Sequence, residues 1–191
     1  MASQAPSRDT PLSTREALAS AGLQRFAENG YGGSRLTDIA ADADVTTGAF
    51  YGHFSSKVEL FELLFERYGG ELQSMLDDCV TLEAQFEGYI EVSRRHRGVV
   101  RASAELLQRN PQHAAERRRL RDNCAGVLAW RLREPLTIKR ARVASRLLVD
   151  VLEQYAFMEA AELIAPKRPS EIAQALFVLI ESGLYIPDRD S

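Results

Sequence analysis

The sequence predicts an all-α protein: three short N-terminal helices, a long connecting helix, and a larger helical bundle. Three observations carry that prediction. Strand signals are nearly absent, with no alternating run of β-branched residues and no Asn-Gly turn between two such runs. Helix start signals are frequent, as in Ser13-x-x-Glu16, Ser56-x-x-Glu59 and Asn110-Pro111. Apolar residues then recur at three- and four-residue intervals behind those signals.

Ser13 opens a first helix whose apolar face is Leu18, Ala21 and Phe26 with Leu23 beside them, stopping at Asn29-Gly30. Ser34 is the expected cap of a second, short helix with Leu36, Ile39 and Ala40, and Thr46 the cap of a third. Ser56 starts a long fourth helix through Leu60, Leu63 and Leu64 past Tyr68, with a kink expected at Gly69-Gly70. Helices follow over about 82–96, 98–108 and 110–134. A long amphipathic pattern runs from Ile138 to Ile164 and is closed by Pro166 and Pro169. Ser170 opens a last helix, expected to reach Ile186. Residues 1–12 read as a disordered arm, 13–58 as one small domain and 59–191 as a second.

The chain has 191 residues, 45% of them hydrophobic and 27% charged, which is ordinary globular composition. The longest apolar runs fall well short of the roughly 20 residues that span a bilayer, and no signal-peptide segment is visible, so a soluble cytoplasmic protein is expected. Cys79 and Cys124 have no metal-ligand spacing. The net charge of −3 argues mildly against nucleic acid. Charge is unevenly spread. Residues 59–93 carry one basic and nine acidic groups, and residues 94–146 carry 15 basic and four acidic groups. Helix faces packed beside each other explain that pattern.

Residues 36–54 form a distinct unit. Ile39, Val45 and Phe50 face inward, and only "DADV" separates the two short helices. Helices joined so tightly cross steeply, as in a helix-turn-helix, whose second helix enters the major groove of DNA. The stretch "TTGAFYGHF" fits that role. Thr46 and Thr47 offer hydroxyls and methyls to base edges, Gly48 lets the backbone approach closely, and Ala49 suits a thymine methyl. Tyr51 and His53 bring polar tips toward phosphate, and Lys57 adds a charge. Phe50 and Phe54 are expected in the core.

The run "LTDIAADADVTTGAFYGHFSSKVELF", with "ALASAGLQRFAENGYGGS" before it, resembles the DNA-binding signature of the tetracycline-repressor (TetR) family over about residues 14–65. The resemblance implies a homodimeric regulator, a repressor that releases a palindromic double-stranded DNA operator on binding a small-molecule effector. By that pattern Thr46, Thr47 and Ala49 map to base contacts, and Tyr51, His53 and Lys57 to phosphate contacts. Asp44 stands where the family usually has glycine, and Thr47 where Lys or Arg is frequent. Residues 1–58 hold five basic and six acidic groups, so weak non-specific DNA binding is expected.

The resemblance also implies an effector pocket among the middle helices and a dimer interface from the last two. Phe86, Tyr89, Trp130, Tyr155, Phe157 and Met158 are the aromatic and flexible candidates for that pocket, with core packing the competing role for each. The arginine-rich stretch 94–146 is compatible with an anionic effector such as an acyl-CoA or a carboxylate. No cofactor or metal is expected: His53, His96 and His113 lack ligand spacing, and no Glu-x-x-His pair, phosphate loop or nucleophile elbow occurs. An enzyme is therefore not expected. The alternative to an effector-released repressor is a helix-turn-helix regulator without effector control, or an activator.

Overall fold

The computed structural model describes residues 13–132 and 137–183, with side chains to residue 180. Among these residues there are nine helices and no strand. They are α1 (Thr14–Gly33), α2 (Leu36–Asp42), α3 (Thr47–Tyr51), α4 (Lys57–Asp78), α5 (Leu82–Arg95), α6 (Arg97–Leu106), α7 (Pro111–Arg131), α8 (Ile138–Ala160) and α9 (Pro169–Gly183). No helix among the described residues is long and apolar enough to cross a membrane.

Most starts follow the predicted chemistry. The side-chain oxygens of Ser13, Thr46, Ser56, Thr81, Asn110 and Thr137 each accept a backbone N–H three residues on, a contact worth about 1 kcal/mol apiece. Ser34 differs from expectation. Its hydroxyl donates backward to Gly30 O at 2.7 Å and Arg25 O at 2.9 Å, so it closes α1, while Arg35 occupies the N-cap of α2 without a side-chain cap. Gly30 is where α1 loses its helical geometry (φ 69°, ψ −179°), as Asn29-Gly30 predicted. The expected kink at Gly69-Gly70 is absent: α4 runs through both glycines. The expected end of α7 near 134 and the last residues toward Ile186 lie outside the described residues.

One hydrophobic core joins the whole molecule. Phe26, Ile39, Phe50, Phe54, Leu60 and Phe61 fill the N-terminal end. Leu72, Leu76, Phe86, Ile90, Leu128 and Leu152 continue it through the bundle. His113 of α7 is buried within it, its ring edge-on to Phe61 and Phe65 with centroids 4.9 and 4.7 Å away. Its Nε2 lies 2.8 Å from Ser103 Oγ, and Nδ1 has no partner.

Burial, and then the nearby Arg117 charge, hold the His113 pKa below its ordinary 6.5, with Glu116 opposing weakly. The unfolded chain therefore binds a proton here that the folded chain refuses. This contribution to stability is complete above about pH 6.5 and is lost as pH falls below it. The urea midpoint is expected to drop on going below pH 6.5, before the carboxylates titrate, and His113→Asn is expected to flatten that slope.

Candidate DNA-recognition surface

The turn between α2 and α3 is built by the backbone. Asp44 sits in the left-handed region at φ 55°. Its N–H donates to Ala41 O at 3.0 Å, and Val45 N–H donates to Ala40 O at 3.0 Å. This paired arrangement closes a helix with a left-handed residue that is usually glycine, a conformation Asp tolerates better than most. The same pattern closes α8 at Glu162 (φ 59°), through Glu162 N–H to Glu159 O and Leu163 N–H to Met158 O. Val45 packs against the core and aims the chain into α3.

α3 is then held by two rings. Phe50 and Phe54 are buried, their rings tilted at 40° with centroids 5.6 Å apart, and the Arg15 guanidinium lies 5.0 Å from the Phe54 ring. That leaves the other side of the segment outward. Thr46, Gly48, Tyr51 and His53 are exposed, and Thr47 and Ala49 are half-buried. Tyr51 is 56% exposed although its ring edge meets Phe50 at 5.6 Å. Thr46 Oγ1 accepts Ala49 N–H at 3.1 Å, so this threonine is a cap, with its O–H still available as a donor.

Gly48 has no internal reason to be glycine. An added Cβ would meet only Thr46 Oγ1, at the ordinary contact distance of 3.7 Å. Gly52, at the helix end, is tighter, with Ala49 O at 3.3 Å.

Lys57 is engaged within the protein. Its Nζ donates to Tyr31 O at 2.7 Å and Ser34 O at 2.8 Å and lies 4.2 Å from the Tyr31 ring centroid. Burial pushes its pKa down, partly offset by Glu105. Lys57 thus ties the start of α4 to the end of α1. The cation that sequence reasoning missed is Arg35: it is exposed, at the N-cap of α2, with no side-chain partner among the described residues. A basic residue just before the first helix of the motif was the available signal. Arg25 of α1 is engaged with Asp42 of α2 by two hydrogen bonds of 2.5 and 2.7 Å.

The effector candidates are scattered. Phe86 is fully buried in the core. Tyr89 and Phe157 line a narrow cavity of only about 20 Å³ with Tyr68, Ser103, Arg117 and Cys124. There Tyr68 donates to or accepts from Ser93 at 3.2 Å, and burial pushes its hydroxyl up to about 12. Glu153, on the same wall, accepts from Arg117 at 2.9 Å. Trp130 is 64% exposed and lies on an outer groove of about 610 Å³ between α7 and α8, away from that interior. Tyr155 is half-buried and its hydroxyl accepts Lys167 N–H at 3.2 Å; Met158 is half-buried. A further open cleft of about 600 Å³ lies between Ile90, Arg94, Arg97, Ala156 and Leu163.

Residues 18–64, spanning most of α1 through the start of α4, match the model of bacterial regulatory proteins of the tetR family. Residues 18–64 thus carry the N-terminal domain of the tetR family. The chain is 43% identical over 70 residues to the HTH-type transcriptional repressor DhaR of Mycobacterium sp. (strain GP1), covering 36% of this chain and 30% of that one. It is 46% identical over 54 residues to the HTH-type transcriptional repressor BepR of Brucella suis biovar 1 (strain 1330), covering 28% and 26%. The chain thus aligns with less than a third of the length of these relatives. The whole fold is similar to that of a TetR-like transcriptional regulator from Rhodococcus sp. RHA1, with a TM-score of 0.70 at 22% identity, covering 92% of this chain and 100% of that one.

Proposed function

We propose that this tetR-family chain is a transcriptional repressor, a homodimer that binds a palindromic operator through α2 and α3 and is released by a small molecule. The carrying observation is the sidedness of "TTGAFYGHF": Phe50 and Phe54 buried, Thr46, Gly48, Tyr51 and His53 outward. DhaR and BepR, both repressors, are similar to it over 70 and 54 residues. Thr47 and Ala49 read base edges, Tyr51 and His53 hold phosphates, and Gly48 lets the backbone close on the groove. Arg35 adds phosphate attraction, and Lys57 acts from behind by fixing the loop after α1. The recognition unit is residues 13–58, and the effector and dimerisation unit is the rest.

A dimer is supported by the apolar stripe on α8. Val143, Leu147 and Val151 recur one turn apart and are 58%, 60% and 50% exposed. Leu179 of α9 is 65% exposed. Rows of this kind bury themselves against a second copy about a two-fold axis. The twofold axis presents two recognition helices to successive major grooves.

The cavity beside Tyr89 holds only about 20 Å³, far below an ordinary ligand site, whereas the cleft beside Ile90 and Arg94 holds about 600 Å³, within that range. A regulator without an effector is the second reading. A thermal-shift screen with small carboxylates and neutral aromatics separates them, since a ligand that binds only the folded state raises the melting temperature.

A footprint on the DNA flanking the chain's own gene tests the principal function; a protected palindrome supports it, and no protection at low salt rejects it. Gly48→Ala is expected to move stability and binding in opposite directions. Alanine in a helix is favoured over glycine by about 1 kcal/mol, so melting rises, while the added methyl holds the backbone off DNA and operator affinity falls. Thermal melts and operator titrations on one preparation check both signs.

A further inference from the structure

The end of α1 is gripped from two sides. The break at Gly30 frees the following amides from helical acceptors. Consecutive free N–H groups of this kind make a concave anion site, and a carboxylate of the chain itself fills it. Glu105 of α6 accepts Tyr31 N–H on Oε1 at 3.1 Å and Gly32 N–H on Oε2 at 2.7 Å. One turn earlier, Arg101 donates from Nη1 to Ala27 O at 2.8 Å and Glu28 O at 3.1 Å. One turn earlier again, Gly98 meets Leu23 O. Residues 98, 101 and 105 therefore form a single stripe on α6 laid along α1. Opposite them, Lys57 of α4 holds the carbonyls of Tyr31 and Ser34. The loop's amides are fixed by one helix of the bundle and its carbonyls by the connecting helix.

The other side of α6 faces the interior. Val100 and Ser103 line the narrow cavity beside Tyr89, and Ser103 meets His113. Resting on the reading that α2 and α3 bind DNA, we infer that Glu105 and Arg101 are positioning residues that lock the recognition unit onto the bundle in one orientation. Neither touches DNA. Their role is to set where the recognition helices stand, and so which half-site spacing the dimer accepts.

The test uses the full chain carrying Cys79→Ser, with spin labels at Ala41→Cys and Arg118→Cys, both exposed positions on opposite sides of the clamp. With labelled chain diluted in excess unlabelled chain, so that a dimer carries one labelled protomer, the wild-type clamp should give one narrow distance distribution, and Glu105→Ala/Arg101→Ala a broad one. Glu105→Gln, which keeps one acceptor, should fall between and serves if the alanine variant does not fold. In operator libraries of varied half-site spacing, the alanine variant should lose about tenfold in affinity and its discrimination between spacings. An unchanged distance distribution with unchanged spacing preference, whatever the melting temperature, overturns the inference. A wild type that selects no DNA while its distances still depend on the clamp overturns the proposed function and upholds the positioning role.

Discussion

Gly98→Ala is expected to destabilise the protein more than substitution at other helical glycines. Alanine alone would favour the helix by about 1 kcal/mol. Here, however, the added Cβ would lie 2.1 Å from Leu23 O and 2.9 Å from Ala27 N. Both atoms belong to the backbone of α1, so no rotamer change relieves the overlap, and the two helices must separate. Overpacking of a tight core costs about 1–3 kcal/mol and sometimes more, and backbone against backbone belongs at the top of that range. The melting temperature should fall by about 10 °C. Gly22→Ala is the control. Its Cβ would meet Leu60 Cδ2 at 2.7 Å, a side-chain tip that can turn aside, so its loss should be clearly smaller. Equal losses at the two sites would mean that α1 and α6 are not held as closely as described.

The second large effect is expected at the proposed dimer face. Leu147→Glu/Val151→Glu changes two residues that are 60% and 50% exposed in the single chain. The fold of one protomer should therefore survive, as circular dichroism would report. Each lost apolar contact forfeits about 1.5–3 kcal/mol of burial, and each occurs twice per dimer. Like charges would also face each other near the axis. Dimer affinity should drop by about a thousandfold or more, giving a monomer by sedimentation at micromolar concentration. A variant that remains dimeric places the interface elsewhere.

Much of this was legible in the sequence because it was local. Caps three residues apart, the period of the apolar residues, and the break at Asn29-Gly30 depend on neighbours along the chain. So does the sidedness of α3: Phe50 and Phe54 fall inward and Tyr51 and His53 outward by spacing alone. Asp44 could be read as a tolerated left-handed residue, and it has that conformation. What could not be read locally depended on distant partners. Lys57 looked like a phosphate contact, but its two acceptors lie 26 and 23 residues upstream. Ser34 looked like a helix start, and its hydroxyl turns back to the previous helix. Trp130 was read as a pocket candidate because an aromatic with a polar handle suits a ligand site; it is 64% exposed on the groove between α7 and α8. Glu105, Arg101 and Gly98 carried no local signal, since their meaning comes from α1 some 74 residues away.

The central claim is that α2 and α3 read DNA through the outward face of "TTGAFYGHF". Selection from random double-stranded DNA at low salt, with the wild type and Thr47→Ala/Tyr51→Phe side by side, tests it most directly. The wild type should enrich a palindrome whose half-sites are centred about 10 base pairs or a multiple apart, and the variant should lose that enrichment while melting like the wild type. No enrichment by the wild type, or the same palindrome bound equally well by the variant, would contradict the account.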